Sequence, residues 1–395
     1  MKEKEIIKLT EKYILPTYKR NPVAFVKGSG TRIWDAKGNA YLDFFSGLAV
    51  NNLGHCHPDV VRAIKNQANK LMHTSNLYYT QPQAKLAEKL IKLAFPGKVF
   101  FCNSGAEANE AAIKLARKWG NPNRNEIITM KESFHGRTVT TLTATGQTKY
   151  QKGFQPLVSG FKYVLFNNLN ALKKSITKQT VAIMMEPIQG EGGVNIASGE
   201  FIKGVRKLCN EKKILLIFDE VQTGIGRTGK MFAYKHYGVT PDVLTLAKAL
   251  GGGLPIGAMI ASKKFADVLR AGTHASTFGG NPVVCAASCA VLDIIKRKNL
   301  LGNATKMGDY LCKKLLILKS RYQFINDIRN KGLMLGIELN IKGADIVQEC
   351  MRKGLLINCT AEKVLRFLPP LNLSKSEIDE AIEIFEKVIR KWKKI

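Results

Sequence analysis

The sequence predicts an α/β fold: a large unit on a mostly parallel, seven-stranded sheet, followed by a smaller α+β unit. Three observations predict it. Short, continuous apolar runs alternate with helical stretches up to about residue 275. Such runs are buried on both faces, which requires helices above and below the sheet. After Asn281-Pro282 the pattern changes to two long helices, short strands and a terminal helix. Finally, 395 residues with 45% hydrophobic and 23% charged content can bury a large core, which excludes wholesale disorder.

The elements follow in order. Met1-Lys-Glu-Lys-Glu-Ile-Ile-Lys mixes charges and lacks the apolar stretch of a signal peptide. Residues 21–45 read as short strands with a turn at Lys37-Gly38-Asn39. Pro58 suits the first turn of a helix carrying Val61, Ile64, Ala68 and Leu71, and a second helix follows Pro82. Strands are predicted at Lys98–Cys102, Glu126–Met130, Tyr163–Phe166, Val181–Met185, Ile214–Phe218, Val243–Ala247 and Ile256–Ile260. Helices lie between several of them, at 106–119, 168–178 and 200–211. Short strands near 323–338 and 355–367 and a helix from about 375 complete the chain. The expected division is residues 1–57 packing with the small domain, 58–280 as the large domain and 281–395 as the small one.

The formal net charge is +30, from 61 Lys+Arg against 31 Asp+Glu. The lysines are spread along residues 2–20, 162–178, 203–213, 296–320 and 387–394, with no basic tract interleaved with aromatics. That argues against a dedicated nucleic-acid surface and reads first as composition or solubility, leaving an acidic partner open. No apolar run reaches the ~20 residues that cross a bilayer. The eight cysteines form no C-x-x-C and have no His or carboxylate at metal-ligand spacing. They read as small buried hydrophobes in a reducing, cytoplasmic compartment, and no metal is expected.

Three segments carry chemistry. In Phe101-Cys-Asn-Ser104-Gly105-Ala106-Glu107, a strand ends and a helix begins behind a capping-box pattern, Ser104 with Glu107. The first N–H groups of such a helix form an anion site suited to phosphate, although most capped helices bind nothing. In Phe218-Asp219-Glu220-Val221-Gln222, a carboxylate stands at the carboxyl end of a central strand, where open α/β sheets place ligands. A buried acid needs a cationic partner. With no metal ligands nearby in sequence, a protonated ring nitrogen suits it better. In Leu246-Ala-Lys248-Ala-Leu-Gly251-Gly-Gly, a lysine follows an apolar strand in a setting that would bury it. Most lysines snorkel at the surface; a desolvated one becomes an amine nucleophile for carbonyls.

In this order the segments resemble the class-III aminotransferases (fold type I, subgroup III), which depend on pyridoxal 5'-phosphate. The resemblance spans about residues 20–390. Its motifs are Asn103-Ser-Gly-Ala-Glu-Ala-Asn, Ser133-Phe-His-Gly-Arg-Thr, Glu186-Pro-Ile-Gln-Gly-Glu191, Asp219-Glu-Val-Gln-Thr-Gly and Ser276-Thr-Phe-Gly-Gly-Asn-Pro. It implies that Lys248 carries the cofactor and moves the proton, and that Asp219 keeps the ring nitrogen protonated. It further implies that Ser104, Gly105 and Ala106 cup the phosphate, completed by Thr277 of the partner subunit in a homodimer with a shared active site. Phe134 and Val221 would flank the ring and Gln222 would reach its hydroxyl, with Glu186 and Glu220 also counted among the cofactor contacts.

For substrates, the resemblance implies that Arg137 binds a carboxylate far from the reacting amine, while Arg366 binds the α-carboxylate of glutamate. Glu191 would neutralise Arg366 while the ω-amine donor is bound, although a fixed ion pair would look the same in sequence. Ser276 would contact an acylated end. Ornithine-type members carry tyrosines where this chain has Arg32 and Leu48, and a Trp where it has His135. The closest similarity is therefore to members that move the ω-amino group of N2-acetyl-L-ornithine to 2-oxoglutarate, with N-succinyl-diaminopimelate a further donor. The alternatives are ornithine or 4-aminobutyrate, lysine or ornithine on an acidic carrier protein, and a basic binding protein, nucleic-acid-binding or structural, built on this fold.

Overall fold

Seven apolar strands assemble into one sheet in the computed structural model, which describes residues 1–392. The last three residues, the end of the 387–394 lysine group among them, lie outside the described residues. In chain order the strands are β1 (Gly97–Cys102), β2 (Glu126–Met130), β3 (Phe161–Val164), β4 (Thr180–Met185), β5 (Leu215–Asp219), β6 (Val243–Leu246) and β7 (Gly257–Ser262). Their spatial order is β1-β7-β6-β5-β4-β2-β3. Every residue of β2, β4, β5 and β6 is buried, in keeping with their largely apolar sequences. Only β7 runs against its neighbours, pairing antiparallel with both β6 and β1.

The third strand begins two residues before its predicted start. Ile127–Met130 pair with Phe161–Val164, which leaves Leu165 exposed and turns Phe166 edge-on to Phe201 at 5.8 Å. The helix after Pro58 runs Pro58–Ala68, but its buried residue is Val60, and Leu71 lies beyond it, exposed. A helix at Glu3–Tyr13, in which Glu3 is the buried residue, precedes the predicted elements.

Phe25–Ser29, Arg32–Asp35 and Ala40–Asp43 form a second sheet, whose fourth strand is Leu355–Leu356, paired parallel through Leu42 with Leu355. A third sheet joins Ile325–Lys331, Met334–Leu339, Val364–Phe367 and Asn358–Thr360. Helices Pro282–Arg297, Leu300–Arg321 and Lys375–Ile389 complete the C-terminal part, and one hydrophobic cluster runs from it to the large sheet. Arg227, fully buried after β5, stitches the two together by donating to the carbonyls of Leu333 and Pro369 and to Asn52. Among the described residues, no helix is long and apolar enough to cross a membrane.

The parallel strands present their carboxyl ends at one edge, where Asp219 ends β5 and Ser104 and Lys248 follow β1 and β6. At that edge β7 passes beneath the loop after β1. A Cβ on Gly257 would lie 2.1 Å from the Ser104 carbonyl oxygen, so the crossing requires glycine.

Candidate active site

A cavity of about 490 Å³ opens at this edge. Ser104, Gly105, Ala106, Phe134, Arg137, Glu186, Glu191, Asp219, Val221, Gln222 and Lys248 all line it. Its volume falls in the range of small-molecule sites.

The anion cup starts the Gly105–Gly120 helix. The Ser104 hydroxyl accepts from the Glu107 N–H at 3.1 Å. The predicted reciprocal bond differs: Glu107 reaches back to the backbone N–H of Asn103 rather than that of Ser104. The N–H groups of Gly105 and Ala106 have no backbone acceptor among the described residues and border the cavity. A Cβ on Gly105 would fall 2.7 Å from Val221 Cγ1, so the helix start and the Val221 wall are fitted to each other.

Asp219 ends β5, buried, with three donors around it. Its Oδ1 accepts from the Val221 N–H at 3.0 Å; its Oδ2 accepts from Asn109 Nδ2 at 2.7 Å and lies 2.7 Å from His135 Nδ1. Asn109 is oriented in turn by the Thr245 hydroxyl. In the sequence His135 marks donor choice; in the structure its imidazole lies on Asp219, beneath the cavity. Asn109 was missed, although a polar residue on the buried alanine face of that helix was the available signal.

Glu186 holds the backbone N–H of Phe134 at 3.0 Å and that of Gly190 at 3.3 Å. Burial, followed by the charge of Asp219, pushes its carboxyl well above the ordinary range. Glu220 departs from its predicted role. Its side chain faces away from the cavity and accepts from the Ala233 and Tyr234 N–H groups, because a carboxylate buried there must be satisfied by backbone. Burial raises it to about 7.

Lys248 follows β6 with φ 46°, a left-handed conformation that is costly for a side-chain-bearing residue and concentrated at functional sites. It borders the cavity, and enclosure by protein lowers its pKa below the ordinary lysine value. Arg366 adds to that lowering, against the opposing charge of Glu191.

Arg366 is fully buried in Val364–Phe367. It pairs with Glu191 Oε1 at 2.8 Å and donates to the Gly190 carbonyl at 2.7 Å and to Gln222 Oε1 at 3.1 Å. Its Nη2 has no partner among the described residues. Burial alone would raise the Glu191 carboxyl, but the Arg366 and Lys248 charges overcome this and hold it below its usual value. Gln222 also donates to Glu191 at 3.3 Å, so its amide bridges the ion pair as well as lining the cavity. Arg137 is exposed at the rim, with its guanidinium 4.1 Å above the Tyr150 ring.

Ser276 and Thr277 do not reach this chain's own cavity. The Ser276 hydroxyl is engaged by the Gly279 N–H and by Asn103, and Thr277 is exposed. Their loop is pressed against the outer side of β1, where a Cβ on Gly279 would meet the Phe101 carbonyl oxygen. The alignment of Arg32 and Leu48 with a donor-binding wall is also displaced: Arg32 pairs with Glu380, and Val50 is the residue of that segment which lines the cavity.

Free N–H groups at a helix start, a buried carboxylate, an amine nucleophile and two facing walls fit a phosphorylated aromatic aldehyde. The comparisons agree. The family model described as aminotransferase class-III matches residues 13–389. An acetylornithine aminotransferase of Methanocaldococcus jannaschii is 53% identical, with 100% of each chain covered. The ornithine aminotransferase of Toxoplasma gondii, whose structure has partially occupied pyridoxal phosphate, superposes with a TM-score of 0.96 at 33% identity, covering 100% of this chain and 96% of that one. An acetylornithine aminotransferase from Elizabethkingia anophelis superposes with a TM-score of 0.89 at 33% identity, covering 99% and 100%. The chain therefore belongs to the class-III aminotransferases, a pyridoxal-phosphate-dependent family.

Proposed function

We propose that the protein transfers the ω-amino group of N2-acetyl-L-ornithine to 2-oxoglutarate, giving N-acetyl-L-glutamate 5-semialdehyde and L-glutamate. The observation that carries the two-substrate reading is the Glu191–Arg366 pair beside Lys248. Neutralised by Glu191, Arg366 tolerates a donor with no carboxylate at the reacting carbon. Released, its free Nη2 receives the α-carboxylate of glutamate. Val50 supports an acylated donor, since that wall offers no hydroxyl to hold a free α-ammonium. The acetylornithine aminotransferases that share about half of the sequence support the same donor.

Gly105, Ala106 and Ser104 would hold the cofactor phosphate, Phe134 and Val221 its ring faces, and Asp219 the proton on its ring nitrogen. When bound, the cofactor supplies an aldehyde for the amino group and a ring that stores the electron pair. Lys248, its pKa lowered by enclosure, would hold the cofactor and move the proton at the substrate carbon through Nζ. Arg137 would take the distal carboxylate of either substrate.

Thr277 would complete the phosphate cup of a second copy. Beside it, Phe278, Tyr78, Leu77 and Tyr79 form exposed apolar surface of the kind a homodimer covers. All eight cysteines are free, which supports a cytoplasmic location. The sheets support a large domain over 58–280 and a small one over 281–395 joined by residues 1–57.

Borohydride reduction and peptide mapping should tag Lys248; a tag on another lysine would remove it from the mechanism. With 2-oxoglutarate as acceptor, acetylornithine should give the highest kcat/KM against ornithine, succinyl-diaminopimelate and 4-aminobutyrate. A preference for free ornithine would overturn the assignment.

A further inference from the structure

Arg137 projects at the cavity rim without a carboxylate partner among the described residues, so something other than an ion pair must set its direction. Tyr150, in the short helix Thr148–Gln151, supplies that contact. The Arg137 guanidinium carbon lies 4.1 Å from the Tyr150 ring centroid and 5.6 Å from that of Phe134. The two rings meet edge to face, 5.7 Å apart at 82°. Tyr150 is half-buried and outside the cavity lining, so it touches Arg137 without touching what the cavity holds.

We propose that Tyr150 is a positioning residue for the distal carboxylate: its ring holds the Arg137 guanidinium at the rim so that the outer edge of the fork faces the incoming substrate. The proposal rests on the reading of Arg137 as the carboxylate anchor. The physical reasons are specific. An exposed arginine has many rotamers, and ordering them costs binding free energy that a preformed stack removes in advance. A cation over an aromatic face keeps its N–H groups free, whereas a carboxylate partner would occupy them. Lys149 also lies 4.9 Å from the Tyr150 ring, but it is the adjacent residue and is exposed.

The test compares a donor that has the distal carboxylate, acetylornithine, with one that lacks it, 1,4-diaminobutane, in the full-length holoenzyme. Tyr150→Leu should raise KM for acetylornithine about three- to tenfold with kcat little changed, the size expected of one partly exposed cation–π contact. KM for diaminobutane should not move. Tyr150→Phe should restore the wild-type KM, because the face and not the hydroxyl makes the contact. In an Arg137→Ala background, Tyr150→Leu should have no further effect on acetylornithine. Tyr150→Met serves the same comparison if the leucine variant does not fold.

An equal change for both donors, or full additivity with Arg137→Ala, would overturn the pairing. A raised acetylornithine KM in Arg137→Ala with an unchanged one in Tyr150→Leu would overturn the pairing alone. An unchanged KM in Arg137→Ala itself would remove the anchor reading and the pairing with it.

Discussion

Asp219 is encircled by Val221, Asn109 and His135, which fix the positions of its two carboxylate oxygens. A carboxylate so prepared can hold a proton on a ring nitrogen without reorganising. Asp219→Asn should therefore keep the shape of the site yet lose on the order of 10³-fold in turnover, roughly 4 kcal/mol of transition-state stabilisation, in steady-state assays. A near-wild-type rate would remove Asp219 from the chemistry. The Glu191–Arg366 pair carries a second prediction. Arg366→Ala should weaken the glutamate half-reaction by about 2–5 kcal/mol while sparing the acetylornithine half, and Glu191→Ala should do the reverse. Single-turnover spectra separate the halves, and equal damage to both from Arg366→Ala would make the pair a fixed structural bridge. Asp219 and Lys248 were legible because a polar residue at the end of an apolar strand stands out locally. The partnership of His135 with Asp219 spans 84 positions and leaves no local trace.

The strands were legible as elements but not as directions. An apolar run such as Ile256–Ile260 reads the same forwards and backwards, so nothing in it revealed that β7 opposes its neighbours. The Gly105–Gly120 helix was legible from its cap and alanine face, whereas the mutual fit of Gly105 and Val221 depends on two distant segments meeting. Gly105→Ala tests that fit. Its methyl group would press on a valine whose χ1 is stiff, displacing the helix start from the phosphate position. Cofactor retention on dialysis should fall by about tenfold or more, as expected of a small displacement in a preorganised site. Unchanged retention would show that the cup tolerates the shift.

For the whole molecule, pH stability turns on buried groups that the reaction does not use. His236 bonds the Thr228 carbonyl, and burial, aided by the Lys331 and Lys230 charges, lowers its pKa from 6.5 to about 4. The unfolded chain therefore takes up the proton first. Stability is intact above pH 6.5 and declines as pH falls from 6.5 toward 4. Glu220, raised to about 7 by burial, acts oppositely: it stabilises most below pH 4.5, and that contribution is lost as pH rises through 7. His236→Gln should flatten the acid side of a thermal-midpoint profile between pH 6.5 and 4. An unchanged slope would place the acid sensitivity elsewhere.

The parallel pairing of Leu42 with Leu355 also sets an order of events during synthesis. At ribosomal speeds the first strands wait on the order of half a minute before their fourth partner leaves the exit tunnel. Through that interval the edge of Ala40–Asp43 is an open template that another chain could pair with. The amino-terminal sheet closes only once Leu355–Leu356 has been made.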